Sequence, residues 1–154
     1  MTYEYAAYLR LLLLCGYNDE LQRYVDIALV EEDPLSDVVL ELSLTGTDDR
    51  NKLSVLNEYL RQTNDSDIDY DNTVFGYVIS FLKSKYFDEA KPLEEVTELM
   101  DRLAMYTGRW IDEPWFTMGV MLYLFDDVKA GCLSIEEYRQ RFEQFLNDRV
   151  LLGE

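Results

Sequence analysis

The sequence predicts an all-α protein, a single compact domain over residues 1–154 with about seven or eight helices packed as antiparallel helical hairpins. Three observations predict this class. Apolar residues recur at helical spacing between helix start and stop signals. No Asn-Gly or Asp-Gly hairpin turn occurs in the chain. A hydrophobic content of 48%, with 14% aromatic residues, supplies enough side chains for a core.

Caps and a proline delimit the first two predicted helices. Thr2 can cap a helix that ends at Gly16, a residue suited to the left-handed C-cap. Asp19 and Gln22 have the spacing of a capping box and open the second helix. This helix must stop near Asp33, because a residue that precedes proline avoids the helical region.

Two further helices are predicted before residue 63. Pro34 fits the first turn of the third helix, and Gly46 ends it. Residues 38–44 alternate partly at period two, as a strand would, but their place between proline and glycine favours a helix. Asp48 and Asp49 lie at the start of the fourth helix, where negative charge is favourable.

An acidic interhelical loop is predicted over residues 63–72, and two strongly apolar helices are predicted beyond it. The fifth helix, over residues 73–87, is apolar over most of its circumference, and the seventh, over residues 115–129, is apolar nearly all round. A helix with this pattern is expected to have neighbours on several sides. We therefore expect both helices to be buried.

The sixth and eighth helices carry clear start signals. Pro92 opens the sixth helix, and Gly108 ends it. Ser134 and Glu137 form a capping box at the start of the eighth helix. Glu137 also stands four residues before Arg141, which is the spacing of a favourable exposed ion pair.

The charge balance indicates the class of partner. The chain has 31 acidic and 14 basic residues, and its net charge is -17. This charge repels phosphate backbones and anionic lipids, so nucleic-acid and membrane binding are not expected. It suits a basic protein or a metal ion. The alternative is that the acidity only improves solubility.

The cysteines and the N-terminus favour a cytoplasmic protein. Cys15 and Cys132 both lie in apolar runs and cannot form a disulfide framework, so we expect buried free thiols. Residues 1–20 superficially resemble a signal peptide, but Glu4 precedes and Arg10 interrupts the apolar run, which is also too short to span a bilayer. We expect a core helix there.

The usual catalytic and cofactor-binding motifs are missing. The chain has no histidine, which removes His-based nucleophile systems and His-containing zinc sites. The seven glycines are scattered singly, so no phosphate-binding loop is present. Carboxylate chemistry remains, but with 31 acids some pair satisfies any spacing by chance. We expect no enzyme activity and no cofactor.

The acidic loop is the most motif-like feature. Asp65, Asp67, Asp69 and Asp71 alternate as carboxylates do in calcium loops, and they are weak candidates for a metal site. The sixth position counted from Asp65 is Tyr70, where a calcium loop needs glycine, and the twelfth lacks glutamate. We therefore interpret the segment as a solvated loop, although weak divalent binding stays an alternative.

Both tryptophans of the chain lie in residues 108–116, GRWIDEPWF. Asp112 can cap the seventh helix, with Glu113 and Pro114 in its first turn. Ile111 and Phe116 have the spacing of a hydrophobic staple, and Trp115 is expected in the core. Trp110 lies in the connection beside Arg109. Tryptophan is usually buried, which favours the core; if Trp110 is exposed, it and Arg109 are the best candidates for an interface anchor.

Three segments of this chain are similar to a known type of protein, and together they cover under a third of its length: EEDPLSDVVLELSLTG, PLEEVTELMDRL and GCLSIEEYRQRFEQFL. It resembles the small acidic all-helical bacterial proteins that serve as polymorphic-toxin immunity proteins. This resemblance implies a cytoplasmic protein that binds and blocks a cognate toxin, often a basic nuclease. It carries no individual binding residue over to this chain.

Three functions follow from these observations. The first is a non-catalytic cytoplasmic protein that neutralises or scaffolds a basic protein partner, with contacts predicted at the acidic loop and around Trp110: Asp65, Asp67, Asp69, Arg109, Trp110, Asp112 and Glu113. The second is a structural or regulatory helical domain of a larger assembly or a homodimer, which would leave an apolar patch exposed. The third is an enzyme that uses carboxylates alone or together with a divalent metal. The protein is expected to be a monomer or a dimer.

Overall fold

The computed structural model describes the backbone of residues 1–152 and the side chains of residues 1–148. This part of the chain contains eight α-helices and no strand, so the predicted all-α class is confirmed. The chain divides into two compact units, an N-terminal unit, Met1–Asp69, and a C-terminal unit, Tyr70–Glu154. The single domain over residues 1–154 stays a prediction, and its last two residues lie outside the described part.

The N-terminal unit contains four helices: α1 (Tyr3–Leu14), α2 (Asp19–Glu31), α3 (Asp37–Ser43) and α4 (Asp49–Leu60). Helix α1 packs against α4, and α3 contacts both α2 and α4. The Thr2 hydroxyl accepts the Tyr5 N–H at 3.1 Å, and Gly16 has a φ of +87°, so both predicted ends of the first helix are confirmed. The N-cap of α4 is Asp48, which accepts the N–H groups of the first turn.

Two predicted helix starts in this unit are wrong. Asp19 is already helical, and the Gln22 amide donates to Asp26 at 2.9 Å, so these two residues form no capping box. Helix α3 begins at Asp37, three residues after Pro34. The backbone N–H and hydroxyl of Ser36 donate to the Glu32 carboxylate at 3.3 and 3.1 Å, and these bonds hold the intervening turn outside the helix.

The C-terminal unit contains the other four helices: α5 (Phe75–Lys83), α6 (Leu93–Tyr106), α7 (Trp115–Lys129) and α8 (Ile135–Leu152). Helix α6 packs against α7, and α8 contacts α5 and α7. One π-helical turn, Tyr70–Val74, precedes α5 and another, Ser84–Asp88, follows it. The fifth helical segment therefore starts inside the predicted 63–72 loop, whose earlier part contains a short 3-10 turn, Asp65–Asp67.

Aromatic side chains fill the core of the C-terminal unit. Trp115 is fully buried, and the ring of Phe75 meets it edge-on with centroids 5.1 Å apart. The hydroxyl groups of Tyr138 and Thr97 share a buried hydrogen bond of 2.5 Å. Burial raises the pKa of Tyr138 to about 12, because the phenolate would lose its hydration. Helix α8 starts as predicted, since the Glu137 N–H donates to the Ser134 hydroxyl at 3.1 Å.

Helix α7 corrects the expectation that an all-apolar helix is buried on all sides. Its buried side chains, Trp115, Met118, Met121 and Phe125, follow one another at spacings of three and four residues. Phe116 is 49% exposed and Tyr123 is 70% exposed, so one side of the helix is open. The prediction of two buried thiols is also half wrong, because Cys15 is buried whereas Cys132 is exposed.

Candidate functional site

The connection between α6 and α7 is anchored by one carboxylate. Asp71 accepts the Arg109 Nε–H at 3.0 Å and an Nη2–H at 2.9 Å, which is the bidentate geometry of a strong guanidinium–carboxylate pair. The indole N–H of Trp115 donates to the same carboxylate at 3.2 Å. The guanidinium also lies 5.7 Å from the centre of the Tyr70 ring. We call these four side chains the Asp71 clamp.

The clamp gives two predicted site residues a structural task. Asp71 is a metal candidate by sequence, and its two carboxylate oxygens already accept three N–H groups of the protein. Arg109 is a candidate for partner contact, and its side chain is directed inward by the same bonds, with 34% of its surface exposed. Both residues hold the α6–α7 connection in place. The sequence shows no link between them, because they stand 38 positions apart.

The other three aspartates of the acidic loop lie in the N-terminal unit and are exposed: Asp65, Asp67 and Asp69. The Asn64 amide donates to Asp67 at 3.4 Å, and the backbone N–H of Asp69 donates to Glu4 at 3.3 Å. Among the residues that the structure describes, no three His, Cys, Asp or Glu side chains come together in a way that could hold a metal ion. The alternating aspartates therefore do not form a common ligand set.

The prediction that Asp112 is the N-cap of α7 is wrong, because the N-cap position is Pro114, and the Glu113 side chain contacts the first turn instead. The Glu113 carboxylate accepts the backbone N–H of Thr117 at 3.4 Å and the Thr117 hydroxyl at 2.7 Å. Asp112 contributes its backbone carbonyl, which accepts the Phe116 N–H at 2.9 Å. The predicted staple is also wrong, because Ile111 and Phe116 are both exposed. The acidic pair thus starts α7 through Glu113 and leaves the Asp112 side chain on the surface.

Trp110 is 57% exposed, so the expectation that it lies in the core is wrong. The residue follows the left-handed Gly108, whose φ is +71°, and it lies in the connection rather than on a helix. No periodic position directs its side chain inward, and loops usually run over the surface. This places the indole where a role as interface anchor requires it, beside an open part of the C-terminal unit.

Trp110 forms one wall of a groove between α6 and α7, which we call the α6–α7 groove. The groove has a volume of about 420 Å³. Helix α6 contributes Asp101, Ala104 and Met105, the connection contributes Trp110, and α7 contributes Phe116, Gly119, Val120 and Tyr123. Its size and apolar walls are those of a ligand or side-chain binding site.

Helical spacing explains why these side chains line one groove. Positions 101, 104 and 105 lie on one face of α6, and positions 116, 119, 120 and 123 lie on one face of α7. Small residues form its floor: a methyl group on Gly119 would lie 3.9 Å from the Ala104 Cβ. At the far end of the helix pair, Lys129 Nζ lies 2.5 Å from Glu94, which shows that the two helices run antiparallel.

Asp101 is the acidic group of the α6–α7 groove. Its side chain is partly buried, and burial raises the pKa of this carboxyl because the anion loses hydration. Among the described side chains, no cation and no hydrogen-bond donor contacts it. The next acidic residue of α6, Glu98, lies near Lys129. The groove therefore changes along its length, from aromatic walls at Trp110 and Phe116 to a carboxylate without a counter-ion.

A second cavity of about 250 Å³ lies within the N-terminal unit. Its polar lining includes three carboxylates, Asp37, Glu41 and Glu58. Glu58 pairs with Arg61 at 3.0 Å, and the Tyr59 hydroxyl donates to the backbone carbonyl of Met1. These contacts explain Glu58 and Tyr59 as parts of the fold, and the cavity has no apolar wall comparable with that of the α6–α7 groove.

A second apolar stripe on α7 indicates this groove in the sequence, but the same pattern also predicts a buried helix. Phe116, Gly119, Val120 and Tyr123 form a second apolar stripe on α7, beside the stripe of Trp115, Met118, Met121 and Phe125. Two apolar stripes on one helix predict burial on all sides. The structure covers only one of them, and Asp101 is recognisable as a site residue only once α6 lies against α7.

Neither the protein-family models, nor the curated proteins, nor the solved structures gave a match to this chain. In the described residues, every helix is too short or too polar to cross a membrane.

Proposed function

We propose that this chain is a non-catalytic cytoplasmic protein that binds a basic protein partner and neutralises or scaffolds it, as immunity proteins do. The observation that supports this most is the α6–α7 groove, in which exposed apolar walls surround a carboxylate that lacks a counter-ion. The partner contacts are assigned to this groove and its rim, with Trp110 as the principal anchor.

The exposed walls support a protein–protein contact. Met105 is 60% exposed, Trp110 57% and Tyr123 70%, and all three border the same groove. Contiguous exposed apolar side chains are uncommon on monomeric proteins and mark interaction sites. Tryptophan and tyrosine are also enriched among the residues that contribute most of the energy of protein interfaces.

The charge supports a basic partner. A net charge of -17 attracts cationic proteins over long range and accelerates their association. Asp112, exposed on the connection beside Trp110, adds to this attraction near the groove. Arg109 and Glu113 support the groove indirectly, since they shape the connection and the start of α7. Asp65, Asp67 and Asp69 remain candidates for long-range steering.

A structural domain that forms a homodimer is the second candidate. It is supported by exposed apolar side chains on α2, on α3 and at the C-cap of α3 in the N-terminal unit, namely Ile27, Leu29, Val30, Leu40 and Leu44. Self-association through the α6–α7 groove is opposed by charge, because two copies that each carry -17 repel one another. The groove therefore favours a partner of opposite charge over a second copy.

The enzyme hypothesis receives less support from the same groove. Carboxylate-only hydrolysis of a glycoside needs two acidic groups across a binding cleft. The α6–α7 groove is lined by a single carboxylate, that of Asp101.

The proposal is tested with the protein encoded beside this chain in its genome, if that protein is basic. Coexpression should relieve the growth defect that the neighbour alone causes, and the purified pair should associate more slowly as salt is raised. The matched variant is Trp110→Ala, which should lose the rescue although it folds. The proposal is refuted if the chain rescues no neighbouring toxin and retains no basic protein from its own cells.

A further inference from the structure

The α6–α7 groove also indicates what kind of segment it accepts. Its two ends differ in chemistry: Trp110, Met105 and Phe116 provide an apolar seat, and Asp101 provides a negative charge. Asp101 and Met105 stand four residues apart on α6, which is about one helical turn or roughly 6 Å along the groove. An occupant must match both features at this separation.

We propose that the groove binds an amphipathic helical segment of the basic partner, in which a large aliphatic side chain precedes or follows a lysine or arginine by one helical turn. The aliphatic side chain packs between Trp110 and Phe116, and the cation pairs with Asp101. This inference rests on the proposed function, because it specifies the segment through which the basic partner is held.

The charge and hydration of Asp101 support a cation as its counterpart. The carboxylate is partly dehydrated, and no cation of the described chain offsets that loss. A lysine or arginine from a partner would restore the lost interactions and would enter a place where water no longer screens the pair fully. The aromatic face of Tyr123, which borders the same groove, adds a second favourable contact for a cation.

The small residues at the base of the α6–α7 groove leave room for a side chain of the partner. Gly119 and Ala104 keep the groove open, and a larger residue at 119 would fill it. The cavity of about 420 Å³ has room for two large side chains with part of their backbone. Grooves between two helices recognise amphipathic helices through anchors that recur at three or four residues.

The test uses a synthetic helical peptide of about 15 residues that contains leucine and lysine one turn apart and no aromatic residue. A scrambled peptide of the same composition serves as its control. Binding of each peptide to the full chain is measured by calorimetry at low salt. We expect the patterned peptide to bind more tightly than the scrambled one, because charge alone does not distinguish them.

Two pairs of matched variants locate the binding. Asp101→Asn should weaken the patterned peptide by about tenfold or more, whereas Glu136→Gln, which removes one exposed charge from α8, should change it by less than about threefold. Gly119→Leu should abolish binding by filling the groove, whereas Gly119→Ala should preserve it, because its methyl group meets only ordinary contacts. Circular dichroism checks that each variant is folded.

Four outcomes overturn this inference. Equal affinity for the two peptides would show that the chain recognises charge alone. An equal loss of affinity in Asp101→Asn and Glu136→Gln would place the contact outside the groove. Failure of the natural chain to bind the peptide would also overturn it. A dimer that Gly119→Leu dissociates in sedimentation would assign the groove to a second copy. Rescue of the neighbouring toxin would still support the proposed function in the first three cases, so the two failures are distinguishable.

Discussion

The two tryptophans of this chain are five residues apart and lie in opposite environments. Trp115 is fully buried, packs against Phe75 and donates its indole N–H to Asp71, whereas Trp110 is 57% exposed on the wall of the α6–α7 groove. The difference arises from backbone position: Trp115 begins a helix whose first stripe faces the core, and Trp110 lies in the connection before it. The first residue stabilises the fold, and the second is available to a partner.

The two carboxylates beside these tryptophans show the same contrast. Asp71 accepts three N–H groups from Arg109 and Trp115 and connects parts of the C-terminal unit. Asp101 is partly buried in an apolar groove without a donor in the described part of the chain. The Asp71 carboxylate is explained by the fold, whereas that of Asp101 is open to solvent or to the cationic partner that we propose.

The largest effect is expected for Trp115→Ala. Removal of this side chain leaves a cavity in the aromatic core and frees the Asp71 carboxylate from one donor. We expect a loss of about 3–5 kcal/mol in the free energy of unfolding, measured by urea denaturation. Trp115→Phe is the control, since it keeps most of the packing and removes only the indole donor. A loss below about 1 kcal/mol for Trp115→Ala would place this residue outside the core.

The next effect is expected for Arg109→Ala, which opens the Asp71 clamp. The bidentate pair is partly exposed, with 34% and 38% of the two side chains accessible, so screening limits its contribution. We expect a loss of about 1–2 kcal/mol in the same denaturation experiment. Arg102→Ala removes an exposed arginine of α6 and should change stability by less than about 0.5 kcal/mol. Equal losses in the two variants would contradict the clamp.

Raising the pH should destabilise the fold through its buried tyrosine hydroxyl groups. Burial raises the pKa of Tyr138 to about 12 from its ordinary value of 10, and it also raises the pKa of Tyr86. Between pH 10 and 12 the unfolded chain loses the Tyr138 proton while the folded chain keeps it, so the stability that Tyr138 contributes is full below pH 10 and falls as pH rises. Urea midpoints measured across this range should decrease, and a Tyr138→Phe variant should decrease less steeply.

The smallest effect on stability is expected for Trp110→Ala. The indole is more than half exposed, so its removal should change the free energy of unfolding by less than about 0.5 kcal/mol. The same variant should lose affinity for the patterned basic peptide by about tenfold or more, because exposed tryptophans at interfaces contribute strongly to binding. Denaturation and calorimetry on one preparation check both. A large loss of stability would show that Trp110 is a core residue and would contradict the difference between Trp110 and Trp115.

The sequence predicts the fold well where local chemistry decides it. Thr2 and Ser134 cap helices as expected, because a capping side chain contacts N–H groups only two or three residues away. At the start of α7 the sequence predicts Asp112 as N-cap and Glu113 in the first turn, whereas the helix begins two residues later than that prediction requires, with Pro114 at the N-cap and Glu113 bonded to Thr117. The start of α3 is displaced from its predicted place because Ser36 bonds to Glu32 instead.

Of the two main residues of the candidate site, only one can be identified from the sequence. Trp110 stands out in the sequence because a tryptophan in a connection lacks a periodic position that would bury it. Asp101 does not, because nothing in its neighbourhood along α6 distinguishes it from the other acids of that helix. The role that we propose for it depends on the packing of α7 against α6, which involves residues that are 15 or more positions away and is not encoded in local patterns.

Quenching of tryptophan fluorescence by acrylamide tests most directly whether the open side of the C-terminal unit receives a basic partner. In the free chain, Trp110 should be quenched readily and Trp115 hardly at all, and a Trp110→Phe variant should isolate the buried signal. Addition of the patterned peptide, which has no aromatic residue, should reduce the quenching of the natural chain to nearly that of the variant. Bound peptide with Trp110 still fully quenched would contradict binding in the groove.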